Sequence, residues 1–311
     1  MIRSMAGQLY RDARRAVIRT LPDKLALGII YRDYFGIWPD LENPRTLSEK
    51  IHWLKLNTIT ALHRRCSDKI TAPDYVRGRL GEDFLVPRIL ATHDVADINP
   101  QRITAERFVV KTSHDTGSIL FCQDRAGFDW ENARSEMRRA LRRSFYRYHR
   151  EYQYATPRPG IVVDEYVDPE SPIGMIDYKV WCFHGKAHWI EVQLGLPPDL
   201  QSAFYSLDWE ALRLTLESAP NYPTNYDGAI PAPARLPDLI SAAERLAKPF
   251  PLVRADFYCP GQRVLFGELT FTPGAGLERY GPGDADRRFG DLLDLDRARA
   301  QIAEIRAESP D

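Results

Sequence analysis

The segment Arg254-Ala-Asp256-Phe-Tyr-Cys-Pro-Gly-Gln-Arg-Val-Leu-Phe-Gly-Glu268-Leu-Thr270-Phe-Thr-Pro-Gly-Ala-Gly276 gathers the residues best suited to chemistry. Strands are predicted over Leu252–Tyr258 and Val264–Phe271, separated by a tight turn, so the two read as an antiparallel hairpin. With a three-residue loop, Pro260–Gln262, Asp256 stands opposite Phe266, and Arg254, Asp256, Glu268 and Thr270 share one face. Asp256 and Glu268 are then diagonal neighbours about 7–8 Å apart, which lets two carboxylates converge on one cation. Two carboxylates and a hydroxyl are hard oxygen donors, the set magnesium takes when phosphates complete its shell. The alternative is a solvated strand face, the usual place of strand carboxylates. It leaves unexplained the core-type residues flanking Arg254 and Asp256, and the Gly267-Glu268 step and Pro273-Gly-Ala-Gly276, whose backbone freedom suits close approach to a ligand.

Two lysines add phosphate chemistry. Lys111 ends the apolar strand Arg107–Lys111 and is followed by Thr112-Ser-His-Asp-Thr-Gly-Ser118, a small-residue loop whose amides and hydroxyls can drape over phosphate oxygens. In Asp177-Tyr-Lys179 the strand period puts carboxylate and ammonium on one face, for ribose hydroxyls and phosphate charge or for a plain salt bridge. No Walker A sequence, GxGxxG fingerprint, GxSxG elbow or nucleophile–His spacing is present, so hydrolase chemistry lacks a candidate.

These groups need a scaffold, and the chain is ordinary globular material: 311 residues, 44% hydrophobic and 27% charged. Lys plus Arg (42) nearly balances Asp plus Glu (43), so any charged partner must be met by a local patch. The four cysteines are widely spaced and read as reduced, buried thiols of a cytoplasmic protein. Apolar runs are strand-sized, and the basic start lacks the apolar core of a secretory signal.

Residues 5–21 form a basic amphipathic pattern that either caps the fold or rests on anionic lipid. Residues 20–90 read as mainly helical, with a half-formed capping box at Ser48 and a short strand over Phe84–Leu90. Strands follow over Gly160–Val167, Ile176–Phe183 and Ala187–Gln193, and helices over Asp129–Tyr148, Leu236–Ala247 and Asp291–Glu308. The Asp129–Tyr148 helix is rich in arginine; with no RNA-binding signature it reads as a solvated face or an anionic-saccharide surface, not as a nucleic-acid site. The stretch Pro197–Pro237 reads as a surface excursion.

The ordered set of a lysine-terminated strand, Val163-Asp-Glu-Tyr-Val167, Asp177-Tyr-Lys179, Arg254-x-Asp256, Glu268-x-Thr270 and Pro273-Gly resembles the ATP-grasp superfamily. Within it the chain is similar to the group related to TupA, the teichuronopeptide biosynthesis protein. The similarity runs through Asn43-Pro-Arg-Thr-Leu-Ser-Glu-Lys-Ile-His-Trp-Leu-Lys-Leu56, Ser67-Asp-Lys69, Gly81-Glu-Asp-Phe-Leu-Val-Pro87, Lys111-x-x-His-Asp-x-Gly117 and Gly267-Glu-Leu-Thr-Phe271.

The resemblance implies an α+β fold in which two lobes, residues 101–170 and 171–311, sandwich ATP behind a mainly helical region, residues 1–100. It implies that Lys111 and Lys179 hold phosphates, that Asp164, Glu165, Tyr166 and Val167 contact adenine, and that Asp177 holds ribose. It further implies that Asp256, Glu268 and Thr270 bind Mg2+, that Arg254 acts with Lys179 in catalysis, and that His114, Thr116, Gly117 and Ser118 cover the transferred phosphoryl group. Thr270 stands where the wider superfamily has asparagine, and Leu194–Leu200 departs from the relatives' pattern, so acceptor recognition is expected to differ. The expected activity is a carboxylate–amine ligation through an acyl phosphate, joining an amine to a uronic-acid-type carboxylate of a free or lipid-linked saccharide. A sugar phosphotransferase, or a glycosyltransferase or scaffold of surface-polysaccharide assembly, are the alternatives.

Overall fold

The computed structural model describes residues 13–115, 117–144, 146–155, 158–171, 173–195, 199–217 and 224–308. Thr116 and residues 5–12 of the basic 5–21 pattern therefore lie outside the described residues. Residues 13–20 are helical, and Ile18 packs with Ala26 and Ile30 of the next helix, Asp23–Phe35.

The helix Leu47–Asn57 starts on a complete capping box, two residues earlier than expected. Thr46 Oγ1 accepts the Glu49 amide at 3.2 Å, and Glu49 Oε2 accepts the Thr46 amide at 3.2 Å. Ser48 is freed for other work: its hydroxyl donates to the Glu278 carbonyl at 3.2 Å. Helices Ala61–Ser67 and Ala72–Leu80 follow.

A four-stranded antiparallel sheet is built from β1 (Arg88–Thr92), β2 (Phe108–Thr112), β3 (Ile119–Cys122) and β4 (Ile161–Glu165), in the order β1-β4-β2-β3. Its first strand starts later than the expected Phe84–Leu90, because the short 3-10 turn Glu82–Phe84 and the proline that follows delay pairing until Arg88. One face carries Phe108, Val110, Ile161 and Val163, which pack on Ala133 and Met137 of the helix Trp130–Leu141. The long helix expected to Tyr148 stops there. A separate turn, Tyr146–His149, leads to Arg150, whose left-handed φ of 57° aims its buried guanidinium at the carbonyls of Ile18 (2.9 Å) and Leu21 (2.8 Å).

The larger sheet has the order β11-β10-β5-β6-β7-β9, formed by β5 (Ile176–Phe183), β6 (Lys186–Leu194), β7 (Gln201–Tyr205), β9 (Thr224–Asn225), β10 (Leu252–Tyr258) and β11 (Leu265–Thr270). The supposed surface excursion thus supplies β7 and β9, and a third strand, β8 (Thr215–Glu217), which pairs with β12 (Arg279–Gly281). Alternation sends Val180, Cys182, Val253, Ala255 and Phe257 to one face, against Leu239, Ala243 and Leu246 of the helix Leu236–Ala247. The other face holds Trp181, Phe183, Trp189 and Phe204 against Leu47, Ile51 and Leu54. The polar site lies on this second face, beside that aromatic cluster.

Candidate active site

The β10–β11 register differs from the expected one. Asp256 faces Glu268 directly, Arg254 faces Thr270, and the register slips by one between Asp256 and Phe257, which pairs with Phe266. Gly267 is the extra residue of this bulge, and a Cβ there would stand 3.0 Å from the Asp256 carbonyl oxygen. With the bulge, Arg254, Asp256, Glu268 and Thr270 still share one face, as expected, and they touch. Arg254 donates from Nε to Asp256 Oδ1 at 2.9 Å and from Nη2 to Asp256 Oδ2 at 2.8 Å. Longer contacts run from Arg254 to Thr270 Oγ1 (3.5 Å) and from Thr270 Oγ1 to Glu268 Oε1 (3.4 Å).

Across the sheet the same row continues. Glu268, Asp256, Lys179 and Glu191 are successive cross-strand partners on β11, β10, β5 and β6. Lys179 Nζ sits 2.5 Å from Asp177 Oδ2 and 2.8 Å from Asp256 Oδ2, and the residue is only 4% exposed. Burial works against its charge, but Asp177 and Asp256 outweigh that and raise its pKa. Burial likewise opposes ionisation of Asp256, yet Arg254 and Lys179 hold its carboxyl below the usual range. Asp177 lies the other way: burial, with Asp256 nearby, pushes it up to about 6 against the pull of Lys179. Lys179 is therefore an internal clamp whose ammonium is shared between two carboxylates, and it does not line the cavities described next. This departs from its expected place on phosphates.

Two adjoining cavities open between the sheets. One, of about 220 Å3, has apolar walls from Val109, Ile119, Phe121 and Met175, with Glu165, Tyr166 and Val167 at one edge and Asp177 at another. The second, of about 170 Å3, is polar and is lined by Lys69, Lys111, Asp115, Gly117, Ser118, Asp256 and Glu268. Lys111, Ile119, Asp177 and Tyr258 border both, so they form one cleft. Asp177 Oδ1 is buried and has no hydrogen-bond partner, a vacancy that a hydroxyl donor would fill.

The expected loop residues divide. Ser118 Oγ donates to Asp115 Oδ2 at 2.6 Å, Thr112 Oγ1 donates to Asp115 Oδ1, and Gly117 takes φ 83°, so Asp115 braces a loop that faces the cleft. His114 is turned inward, 4% exposed, with Nε2 3.2 Å from the Arg143 carbonyl oxygen, so it does not line the cleft. Asp164, expected at adenine, does not line the apolar cavity. Strand alternation puts it on the Lys111 face, where it takes Lys111 Nζ (3.2 Å) and Arg88 Nε (2.7 Å) and so aims the lysine.

Sequence reasoning missed Lys69 as a cleft residue, although Ser67-Asp-Lys69 was among its motifs. The Lys69 amide donates to the Ser113 carbonyl at 3.1 Å and its Nζ to the Asp115 carbonyl at 2.8 Å, which sets a second ammonium beside Lys111. Among the described residues no group of three or more His, Cys, Asp or Glu side chains is arranged to hold a metal by itself. Glu268 is the half-buried carboxylate on the cavity wall, whereas both oxygens of Asp256 already accept from cations. A carboxylate offers about four lone-pair sites, so Asp256 keeps little capacity beyond its cationic partners.

A family model described as TupA-like ATPgrasp matches residues 49–294, and the chain belongs to that family. Its fold is accordingly the α+β ATP-grasp fold. Comparison with curated proteins finds no match. Among solved structures the chain is similar to the D-cycloserine synthetase DcsG, at 16% identity and a TM-score of 0.42 over 78% of this chain and 73% of that one. It is similar to a D-alanine–D-alanine ligase from Bacillus anthracis, complexed with ATP, at 14% identity and a TM-score of 0.42 over 79% and 68%. A third, the ATP-grasp ligase PsnB complexed with a minimal precursor, shares 13% identity with a TM-score of 0.40 over 75% of this chain, which spans 61% of that protein. No helix of the described residues is long and apolar enough to cross a membrane.

Proposed function

We propose that the protein is a Mg2+- and ATP-dependent carboxylate–amine ligase, attaching an amino acid or amine to a uronic-acid-type carboxylate in cell-surface polysaccharide biosynthesis. The observation that carries this reading is the cleft itself: an apolar slot joined to a polar cavity with two ammonium groups on one wall and two carboxylates on the other. A flat base suits the slot between Val109, Phe121 and Met175, beside the Glu165–Val167 segment. The orphaned Asp177 Oδ1 suits a ribose hydroxyl, and Lys69 and Lys111 suit phosphate oxygens.

The donor set also fits the metal. Glu268, helped by Asp256 and more weakly by Thr270, supplies the one or two carboxylates that magnesium requires once phosphates complete its shell. When bound, the ion neutralises phosphate charge. The chain's own residues do the rest. Lys69 and Lys111 hold the phosphates in line, and the loop at Gly117 and Ser118 offers amide and hydroxyl donors above them. Arg254, expected at the reacting carboxylate, lines neither cavity; kept charged by Asp256 and Glu191 despite burial, it holds Asp256 at the cavity wall and acts through that carboxylate. A carboxylate oxygen attacks the terminal phosphorus and ADP leaves; an amine then attacks the acyl phosphate, the C–N bond forms, phosphate leaves, and the amine proton passes to solvent or to a neighbouring base. The family match and the bordering chemistry of the two cavities support this sequence of events, and the helix at residues 13–20 is open to a peripheral lipid contact in the same reading.

The test is incubation with ATP, Mg2+, candidate uronic acids and candidate amines. ADP, phosphate and an amide are expected; AMP and pyrophosphate would refute the acyl-phosphate route, and amine-independent ADP with a phosphorylated sugar would favour a phosphotransferase.

A further inference from the structure

The arginine run of the helix Trp130–Leu141 and the turn after it takes no part in the cleft, and its pairing pattern is uneven. Arg134 pairs with Glu131 at 3.0 Å, Arg139 with Glu136 at 3.1 Å, and Arg150 with Asp23 at 2.7 Å. The other carboxylates of this segment are occupied: Asp129 caps the helix by accepting the Asn132 amide, and Glu151 is buried and accepts from Thr272. Among the described residues no carboxylate pairs with Arg138, Arg142, Arg143 or Arg147, all four of which are exposed. In a chain with a net charge of only −1, this is a concentrated and uncompensated positive surface.

Two features tie it to the site and to a class of ligand. The Arg143 carbonyl is held by His114, which directly precedes the Asp115 brace of the cleft loop, so the surface adjoins the phosphate end of the cleft. Aromatic rings are interleaved with the cations: the Arg147 guanidinium lies 5.9 Å from the Tyr146 ring and that of Arg15 lies 5.6 Å from the Tyr148 ring, with Tyr152 next to Tyr146 at 5.6 Å. Guanidinium forks match carboxylates, and half-buried aromatic faces match the C–H faces of sugar rings. A lipid surface is disfavoured, because the apolar stripe of this helix, Ala133, Met137 and Ala140, is buried in the core and leaves nothing to insert.

We propose that this surface is a docking site, separate from the cleft, for an anionic saccharide chain whose repeated carboxylates pair with Arg138, Arg142, Arg143 and Arg147. The choice of carboxylate over phosphate rests on the ligase reading above. The surface holds a polymeric acceptor by several weak, exposed ion pairs while one unit enters the cleft, which makes binding salt-dependent and length-dependent.

The test is a fluorescence-anisotropy titration with labelled polygalacturonate oligomers, run on wild type, on the triple variant Arg138→Gln/Arg142→Gln/Arg143→Gln and on Arg147→Glu, with AMP-PNP binding measured on the same samples. Saturable binding by wild type, weakened about tenfold in the triple variant as a few exposed ion pairs would give, is the expected result, with AMP-PNP affinity unchanged. Absence of saturable binding by wild type, equal affinity in all variants, or equally tight binding of poly-L-glutamate, tRNA or anionic vesicles would overturn the proposal. Failure of the ATP reading is distinguishable, since it shows in the AMP-PNP titration of wild type.

Discussion

Lys179→Met separates a clamp from a phosphate ligand. Lys179 Nζ is 2.5 Å from Asp177 and 2.8 Å from Asp256; Lys179 and Asp256 are buried and Asp177 is half-buried. Removing the ammonium leaves two carboxylates with Arg254 as the remaining close cation, and breaking a buried pair of this kind costs about 3–5 kcal/mol. The pH dependence has a definite sign. In the wild type Asp177 is raised to about 6 against roughly 3.9 when unfolded, so the folded state binds the proton more tightly and this group's contribution to stability falls as pH rises through that window. Loss of Lys179 raises the Asp177 pKa further. At pH 5 Asp177 is largely protonated with or without Lys179, so the change in its pKa costs little there; at pH 8 that change counts in full. Urea denaturation at both pH values should therefore show the large loss at pH 8 and a clearly smaller one at pH 5. A loss below about 1 kcal/mol at pH 8, the range of exposed pairs, or one equal at both pH values, would refute the clamp. An unchanged fold with weakened AMP-PNP binding would return Lys179 to the phosphates.

Three further outcomes are expected. Glu278 is pushed up to about 7 by burial and by Glu191, so the wild type loses stability from this group as pH rises from roughly 4.3 to 7; Glu278→Gln should raise the unfolding free energy at pH 8 by on the order of 3 kcal/mol, read as a higher urea midpoint, and leave it unchanged at pH 4. Gly290→Ala puts a Cβ 2.1 Å from the Arg45 carbonyl oxygen, backbone that cannot yield cheaply, and should cost about 2–4 kcal/mol in the same assay. Thr46→Ala removes the cap of the helix Leu47–Asn57 and should cost about 1–2 kcal/mol, read as a lowered thermal midpoint, whereas Ser48→Thr should leave the capping box intact.

Period and punctuation made much of the fold legible. The strands β5 and β10 and the helix Leu236–Ala247 have their expected limits, because each carries an unbroken apolar pattern that matches its burial. The hairpin register was not legible, since a bulge at Gly267 adds one residue that no loop count contains. The turn is also one residue longer than expected, with Tyr258 pairing with Leu265, and the bulge and the longer turn together make a diagonal pair of carboxylates a facing pair. Pro197–Pro237 hid its strands because they run only two to five residues each, and because β8 finds its partner in the distant β12. Lys69 escaped because its role depends on a contact with Asp115, 46 positions away, which no local pattern reveals. Asp164 and His114 were assigned by motif order; ion pairs with Lys111 and Arg88 occupy the first, and the inward turn of its loop takes the second from the cleft.

The central claim is that MgATP binds in the cleft between Lys69, Lys111 and Glu268. Calorimetric titration of AMP-PNP into the protein with and without Mg2+, on wild type, Lys111→Met and Glu268→Gln, addresses it most directly. The account predicts saturable, Mg2+-dependent binding by wild type, weakened about tenfold or more, the loss expected when one charge-assisted contact is removed, in Lys111→Met, and binding that no longer responds to Mg2+ in Glu268→Gln. No saturable binding by wild type, or binding that neither substitution alters, would contradict it.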